Sequence, residues 1–426
     1  MGIDTVTVSR HFDPETLREI IGERELYFWG ARHGYSMCRV FERLGFLPKG
    51  FIDSSRALAG STVLGYPVRM PDEVIPAEKE SVFIVITSSF FADEIAGCCR
   101  EYGLEENRDF VPFNRIQKYD YQVDVSGICN LRCVSCPRGN MAWQPDAGFM
   151  TAAEFEKALD KILEEDPFTG VITLYNWGEP LLNPELAEIL RVMNRRGVLA
   201  ALSSNLNVSH DFSGVIREKP MWFRVSVSGF EESYETTHTG GKWDVLLRNM
   251  LLLKQWRRRY HPEMIVEVFY HIYNHNNGDD FTRMRGLCEE LGFTFRYRHA
   301  ALAPLDNVRA VINGEKVSEA VSKTLDLQIL PVAEAVRLAG MQRDRECPYE
   351  RCLWITWDMK VAQCMEWYAD GALLVPRSFL ETSLEEIASA RKGNPFCRAC
   401  RNEALHRCYV VYGDEKLIHL RRSVEV

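Results

Sequence analysis

No stretch of eighteen or so apolar residues occurs in this 426-residue chain, so no membrane-spanning helix is expected. The opening residues, MGIDTVTVSRHFDPETLREI, lack the basic-then-apolar order of a secretory signal. Nor does Met1-Gly2 start a full myristoylation pattern, because the sixth position is Val6. Excess positive charge is missing too: 51 Lys and Arg face 60 Asp and Glu, a net charge of −9. That weighs against a nucleic-acid binder, which usually shows a basic patch. Internal repeats and low-complexity tracts are absent. These absences together describe a cytoplasmic globular protein with neither membrane nor nucleic acid as partner. The hydrophobic fraction, 46%, suffices for real cores, and the length suits two or three domains.

Cysteine is the residue in surplus. Thirteen occur, although the cytosol disfavours disulfides, and clustered thiols there point to metal or redox chemistry. Cys38, Cys98 and Cys99 are scattered, and Cys288 stands alone. Cys129, Cys133 and Cys136 form a tight group, and Cys347, Cys352, Cys364, Cys397, Cys400 and Cys408 crowd the last quarter. Ordinary buried thiols would not bunch in this way.

Three blocks emerge, all of α/β character. Residues 1–115 read as a helix (FDPETLREIIGE) and then as alternating elements: a strand, glycine turn and helix in ELYFWGARHGYSMCRVFERLGF, a strand in KGFIDSS, a short strand and turn in GYPVRMPDEVI, a strand in SVFIVITSS and a helix in FFADEIAGCCREYGL. This alternation predicts a small doubly wound domain. In residues 116–300, strands are expected at YQVDVSG, GVITLYN, LAALSS, FRVSVSG, MIVEVFYHIY and FTFRYR. Helices are expected at TAAEFEKALDKILEE, NPELAEILRVMNRRG, KWDVLLRNMLLLKQWRRR and DFTRMRGLCEELG. About six βα units point to a parallel sheet curled into a full or partial barrel. Residues 301–426 comprise a helical connector (SEAVSKTLDLQILPVAEAVRLAG), a cysteine-rich region and a tail.

The tight group reads C-NLR-C-VS-C just after a predicted strand. Soft thiolates at close spacing on a loop suit an iron–sulfur cluster. Three cysteines leave one iron of a four-iron cluster open to a ligand. A zinc site lacking its fourth ligand, or free thiols, are the alternatives. The stretch VDVSGICNLRCVSCPRGN resembles the signature of the radical S-adenosylmethionine (SAM) superfamily. The resemblance implies a partial (β/α)6 barrel and a [4Fe–4S] cluster on Cys129, Cys133 and Cys136. It also implies that SAM is held on the open iron and cleaved to a 5′-deoxyadenosyl radical. The residue before the third cysteine, often apolar or aromatic in the family, is Ser135 here. YNWGEPLLNPE resembles the family's GGEP motif, with Asn176 and Trp177 departing from the usual first glycine. There Gly178 permits close approach, and Glu179 is expected to accept from the SAM amino group. By the same resemblance Ser204 and Asn205 of LSSN, and Ser226 and Ser228 of VSVSG, are candidate SAM contacts, and YHIYNHN would line the adenine. All lie at predicted carboxyl ends of strands, where barrel enzymes carry their chemistry.

CPYERCLWITWDMKVAQC and FCRAC place a cysteine, a short hairpin, a second cysteine and a distant CxxC in order. That order can wrap one metal centre, with zinc as the alternative. ITWDMKV reads as strand, turn, strand, with Met359 where a turn glycine is usual. The segment resembles the auxiliary-cluster domains called SPASM and twitch. Cys347, Cys364, Cys397 and Cys400 fit the twitch positions for one auxiliary [4Fe–4S] cluster, about eight irons per chain in all. Cys352 and Cys408 are left over. These two, with Cys288 behind them, are the candidate hydrogen-donating thiols, though the helical position of Cys288 also suits plain packing.

In the first block WGARHG follows a strand and opens a helix. Gly30 and Gly34 are placed to let backbone approach a phosphate, and Asp53 lies where an acid would meet a ribose. The spacing is not a full GxGxxG. The block resembles a Rossmann-like domain attached to sugar-modifying enzymes. Two readings stand: a nucleotide, nucleotide-sugar or carrier ligand, or a structural or docking module.

The resemblance implies a radical SAM oxidoreductase, a dehydrogenase or epimerase. It would act on a hydroxyl- or amine-bearing carbon of a sugar- or aminocyclitol-like small molecule, with a reducing partner such as flavodoxin or ferredoxin. A peptide-modifying SPASM enzyme and a non-catalytic iron–sulfur scaffold are the other readings.

Overall fold

A computed structural model describes residues 12–31, 34–88, 91–368 and 373–413. The readings on residues 1–11, on Arg32 and His33 and on the tail from 414 lie outside these. Contacts divide the chain into two compact units. One comprises Met1–Asp120, Asp160–Val171 and Arg195–Leu199; the other comprises Tyr121–Leu159, Ile172–Asn194 and Ala200–Val426. No helix among the described residues is long and apolar enough to cross a membrane.

The first unit carries six strands: β1 (Glu25–Trp29), β2 (Pro48–Ile52), β3 (Thr62–Val63), β4 (Tyr66–Arg69), β5 (Val82–Ile86) and β6 (Phe110–Pro112). Their order is β3-β4-β2-β1-β5-β6, parallel except for the β3–β4 pair. Every residue of VFIVI in β5 is buried, as expected of a parallel strand covered on both faces. Alternation along β1 divides two cores: Leu26 and Phe28 join Phe41 and Phe51, while Tyr27 and Trp29 join Ile84 and Ile86. One expectation needs correcting. GYPVRMPDEVI is not only strand and turn, because a helix, Pro71–Glu78, follows β4. Proline suits the first helical position, and the Glu73 carboxylate accepts from the Met70 amide at 3.0 Å.

The larger unit holds β7 (Asp120–Val123), β8 (Val171–Thr173), β9 (Leu199–Ser204), β10 (Trp222–Val227), β11 (Ile265–Ile272), β12 (Thr294–His299) and β13 (Cys352–Ile355). The sheet runs β12-β11-β10-β9-β8-β7-β13, with the six consecutive strands side by side. Parallel pairing joins β7 to β8 and runs from β9 through β12. Helices Ala152–Glu165, Leu186–Arg195, Trp243–Tyr260 and Asp279–Leu291 fall between strands. The chain is thus α/β with parallel sheets. The edge strand β13 comes from the cysteine-rich region, and its Ile355 carbonyl accepts from the Asp124 amide at 2.8 Å. After it, Ile355 bridges Val361 antiparallel across a turn in which Met359 takes φ +61°, the left-handed conformation that usually selects glycine. The connector forms helices Glu319–Leu327 and Val332–Gly340. These pack with Leu302, Leu305 and Tyr412 into a separate core.

Candidate active site

The loop after β7 is built by close backbone packing. The amides of Arg132 and Val134 donate to Thr239 and Thr237 carbonyls at 2.9 and 3.1 Å. A Cβ on Gly139 would lie 2.2 Å from the Cys133 carbonyl oxygen, so only glycine lets the short helix Pro137–Asn140 close against the loop. This folding brings Cys129, Cys133 and Cys136 within electrostatic reach of one another. Burial pushes Cys129 up to about 12 and Cys136 up to about 11, and Cys133 well above its ordinary value. Thiols so desolvated need a metal's positive charge to become ligands. Among the described residues, no three His, Cys, Asp or Glu side chains close on one point as ligands of a single ion do.

Gly178 sits where side chains are excluded. Its Cβ would fall 1.7 Å from the Ser126 carbonyl oxygen and 3.0 Å from Asp124 Oδ1. The next amide, of Glu179, donates to the Ile128 carbonyl at 2.8 Å, which seats the WGEP segment beside the cysteine loop. The buried Glu179 carboxylate accepts from the Leu181 amide (3.0 Å) through Oε1 and from the Asn205 amide (2.8 Å) through Oε2. Burial raises it to about 7, against those amides and Ser204. A carboxylate has about four lone-pair positions, so one remains for a ligand amine beside the two amides and Ser204. Asn205 Nδ2 points at Cys129 Sγ, 3.7 Å away, and bonds Asn130 Oδ1 at 3.0 Å. Glu179, Asn205 and Cys129 are therefore one connected group.

The remaining candidates are more dispersed. Ser204 Oγ accepts from the Leu206 amide at 2.9 Å. Asn176 Oδ1 accepts from Gln122 at 3.3 Å, while its buried Nδ2 has no partner. Ser228 Oγ lies 3.3 Å from His271 Nδ1, and Ser226 lies on β10. Ser135 Oγ and the Tyr273 hydroxyl are 2.6 Å apart, so YHIYNHN does reach the cysteine loop.

In the cysteine-rich region, helix Pro395–Asn402 carries Cys397 and Cys400 one turn apart, hence on one face. Cys347 is within electrostatic reach of Cys397, and Cys364 of both Cys347 and Cys400. All four thiols are raised by burial, Cys400 to about 12 despite a hydrogen bond with Trp367. The four expected ligands are thus linked pairwise by electrostatic influence, without closing on one point. The candidate thiols do not converge with one another. Cys408 is fully buried in the connector core, next to Cys400 and raised to about 12. Cys352 begins β13, where its carbonyl accepts from Arg391 at 2.7 Å. Cys288 is fully buried on helix Asp279–Leu291.

Beside both cysteine groups lies a cavity of about 250 Å³ that sequence reasoning missed. Trp367, the partner of Cys400, lines it, and so does Arg138, whose charge acts on Cys136. Arg138 donates to the Gly127 carbonyl at 2.6 Å and the Trp177 carbonyl at 3.3 Å. Asp124 Oδ2 accepts from the Trp177 amide at 3.3 Å, and burial raises Asp124 to about 6 against the charge of Arg138. Trp357 from the turn after β13 is clasped between Gly127 and Gly148, where a Cβ would lie 2.3 and 2.2 Å from its ring. The signal for Asp124 was its place at the carboxyl end of β7, an acid between valines.

In the first unit Gly30 and Gly34 have a packing reason. A Cβ at Gly30 would lie 2.9 Å from Thr87 Oγ1, and one at Gly34 would lie 2.2 Å from the Phe51 ring. These glycines thus admit neighbouring side chains, and Gly30 also lines a cavity with Asp53 and Ser88. Asp53 accepts from the Ala31 amide at 3.0 Å and the Ser55 amide at 2.9 Å.

Comparison with known proteins completes the picture. Residues 123–287 match the family model of the Radical SAM superfamily. The matched segment, which holds Cys129, Cys133, Cys136, Glu179 and Asn205, therefore resembles a radical SAM domain. A curated relative is the tungsten-containing aldehyde ferredoxin oxidoreductase cofactor-modifying protein of Pyrococcus furiosus, 32% identical over 88 residues. That match spans 21% of this chain and only 24% of the relative's length. Similar solved structures include SuiB of Streptococcus suis bound to S-adenosylmethionine (11% identity, 74% of this chain and 79% of that one, TM-score 0.46). BtrN in complex with AdoMet and 2-DOIA is another (14% identity, 67% and 85%, TM-score 0.38).

Proposed function

We propose that the protein is a radical SAM oxidoreductase that oxidises or epimerises a carbon centre of a sugar- or aminocyclitol-like molecule. One observation carries this reading: Glu179, Asn205 and Cys129 form a single hydrogen-bonded group at the strand ends. Cys129, Cys133 and Cys136 would hold a [4Fe–4S] cluster, and Glu179 would accept from the amino group of SAM with its free lone pair. Asn176, Ser204, Ser226 and Ser228 would complete the SAM pocket. Cluster and SAM, when bound, would supply one-electron reductive cleavage of SAM and, through it, hydrogen-atom abstraction from the substrate. Asn205 Nδ2–H directed at Cys129 sulfur would tune the potential of that centre, as hydrogen bonds to cluster sulfurs do. Cys347, Cys364, Cys397 and Cys400 would hold an auxiliary [4Fe–4S] cluster across the substrate space, a route for the substrate electron in oxidation. Cys352 and Cys408, and less directly Cys288, are the thiols for hydrogen return in epimerisation. A flavodoxin- or ferredoxin-type partner would deliver the reducing electron. The chain's division into residues 1–115, 116–300 and 301–426 is part of the same reading.

Anaerobic reconstitution with iron and sulfide, followed by reduction with dithionite, tests it. Formation of 5′-deoxyadenosine from SAM, with about eight irons per chain, is expected. No SAM cleavage under a strong reductant would overturn the enzyme reading. Four irons after full reconstitution would remove the auxiliary cluster.

A further inference from the structure

Cys129, Cys133 and Cys136 lie in one loop, and that loop has a narrow neck. Residues 125–127 and 148–150 pair antiparallel across it. The Met150 amide donates to the Val125 carbonyl at 3.1 Å, Ser126 bridges Phe149, and the Gly127 amide donates to the Gly148 carbonyl at 2.8 Å. Gly127 and Gly148 thus stand opposite each other where the loop closes. Glycine weakens a strand interior, because it loses the most conformational freedom and offers no side chain to pack. Here the indole of Trp357 supplies what both lack. A Cβ on either glycine would fall inside that ring, so the ring lies against their backbone, and its Nε1 donates to the Asp146 carbonyl at 3.2 Å. An aromatic ring laid over strand glycines restores the missing packing.

The neck sets more than the loop. The Ser126 carbonyl packs against Gly178, and the Ile128 carbonyl accepts from the Glu179 amide at 2.8 Å. Between them the Gly127 carbonyl accepts from Arg138 at 2.6 Å. Glu179 and Cys129 therefore share one support, residues 126–128. Trp357 is itself held from the other side. Thr356 closes its turn, with its amide donating to the Lys360 carbonyl at 2.9 Å and its hydroxyl to Asp358 at 2.6 Å. The carbonyl of the buried Met359 accepts from the Phe379 amide at 2.7 Å. This turn joins β13, bonded to the backbone of Asp124, to the segment that leads to Cys364, where the Ala362 amide donates to the Trp354 carbonyl at 3.1 Å. One hairpin thus runs from the second cysteine set to the neck of the first.

We infer that Trp357 is a positioning residue of the SAM site. By closing the neck it fixes Glu179 against Cys129, so that SAM binding depends on the seating of a hairpin from the cysteine-rich region. A ring packed on glycine backbone stabilises only the closed neck, because opening the neck returns that apolar face to water. Without the ring, water also competes for the bond between Gly127 and Gly148. The consequence of its loss is local: a looser loop and weaker SAM binding in a barrel that stays folded. The inference rests on the radical SAM reading and adds what that site depends on.

The test uses full-length protein reconstituted with iron and sulfide, as wild type, Trp357→Ala and Trp357→Phe. Amide hydrogen exchange reads the neck. Trp357→Ala is expected to speed exchange in residues 125–150 about tenfold or more, while β10 and β11 keep wild-type rates. The electron paramagnetic resonance signal of dithionite-reduced protein, titrated with SAM, reads the site. Half-saturating SAM is expected to rise about tenfold in Trp357→Ala and to stay within about twofold in Trp357→Phe, which keeps a flat ring on the glycines. Unchanged exchange in the neck overturns the inference. So does equal acceleration throughout the chain, or an opened neck with an unchanged SAM response. Should Trp357→Ala lose its fold or its iron, Trp357→Leu decides by the same two readings. The same loss in both variants makes Trp357 a plain packing residue and overturns the inference. A wild type whose signal ignores SAM removes the radical SAM reading and the SAM half of this inference with it; exchange alone then decides whether Trp357 closes the neck.

Discussion

Each unit has a cavity at the carboxyl ends of parallel strands, and each cavity has an aspartate, but the two aspartates differ. Asp53 accepts two backbone amides, those of Ala31 and Ser55. Its cavity also presents Glu94, a poor neighbour for a phosphate. Asp124 takes the Trp177 amide on Oδ2 and turns Oδ1 to the backbone of Gly178. A carboxylate whose bonds are filled by its own loop shapes that loop. A carboxylate set against a second segment ties that segment to its strand. The same contrast separates the glycines, since Gly34 is packed against the ring of Phe51 and Gly178 against the backbone of Ser126. A ring can shift, but that backbone is pinned within the cysteine loop.

The largest effect should separate the cysteines. Cys136→Ala is expected to reduce 5′-deoxyadenosine formation to background, whereas Cys38→Ala, buried in the first unit, should leave the rate per folded molecule unchanged. Equal rates in the two variants would break the assignment. Next come the glycines. Gly178→Ala must displace the WGEP segment and should lower SAM cleavage about a hundredfold. Gly34→Ala overpacks a core, at a cost of about 1–3 kcal/mol, and should lower the thermal midpoint without lowering SAM cleavage. The aspartates give a smaller difference. Asp53→Asn loses charge-assisted bonds to two amides and turns an N–H toward one of them, destabilising by about 1–3 kcal/mol. Asp124→Asn removes a buried, half-paired charge and should leave stability unchanged or raise it. Urea titration of the two variants reads this directly, and equal losses would erase the contrast between the cavities.

Much of the frame was legible in the sequence because it is written in short-range patterns. LAALSS matches β9 residue for residue, and the β-branched and aromatic runs of β5 and β11 stand between clear breakers. Cys129, Cys133 and Cys136 lie close in sequence, so their loop also declared itself. What escaped depends on long-range juxtaposition. The edge place of β13 joins Ile355 to Asp124, across more than half the chain. The cavity needs Asp124, Trp177, Trp354 and Tyr368 at once, and each alone reads as an ordinary core or surface residue. Met359 was noticed as an odd turn residue, and its positive φ accounts for the oddity. At Gly30 and Gly34 a glycine that admits a neighbouring side chain is indistinguishable, in sequence, from one that admits a phosphate.

The smallest expected effect is a pH dependence confined to the larger unit. Burial raises Glu179 from 4.5 to about 7 and Asp124 from 3.8 to about 6. The native state therefore holds these protons more tightly than the unfolded chain does. Their contribution to stability is complete below the unfolded values and is lost as pH rises through the folded ones. For iron-free protein the thermal midpoint should accordingly fall between about pH 4.5 and 7 through Glu179, with the lower part of the slope shared by Asp124. Glu179→Gln fixes that side chain in an uncharged form and should flatten the upper part, while Asp124→Asn should flatten only the part below about pH 6. Bound SAM would reverse the balance at Glu179, because an ammonium beside it favours its carboxylate. The slope should then shrink when SAM is added to reconstituted wild type and change little in Glu179→Gln. If the variant kept the full wild-type slope, the titrating group would lie elsewhere, and Glu179 would have no claim to be the carboxylate beside the cysteine loop that responds to what binds there.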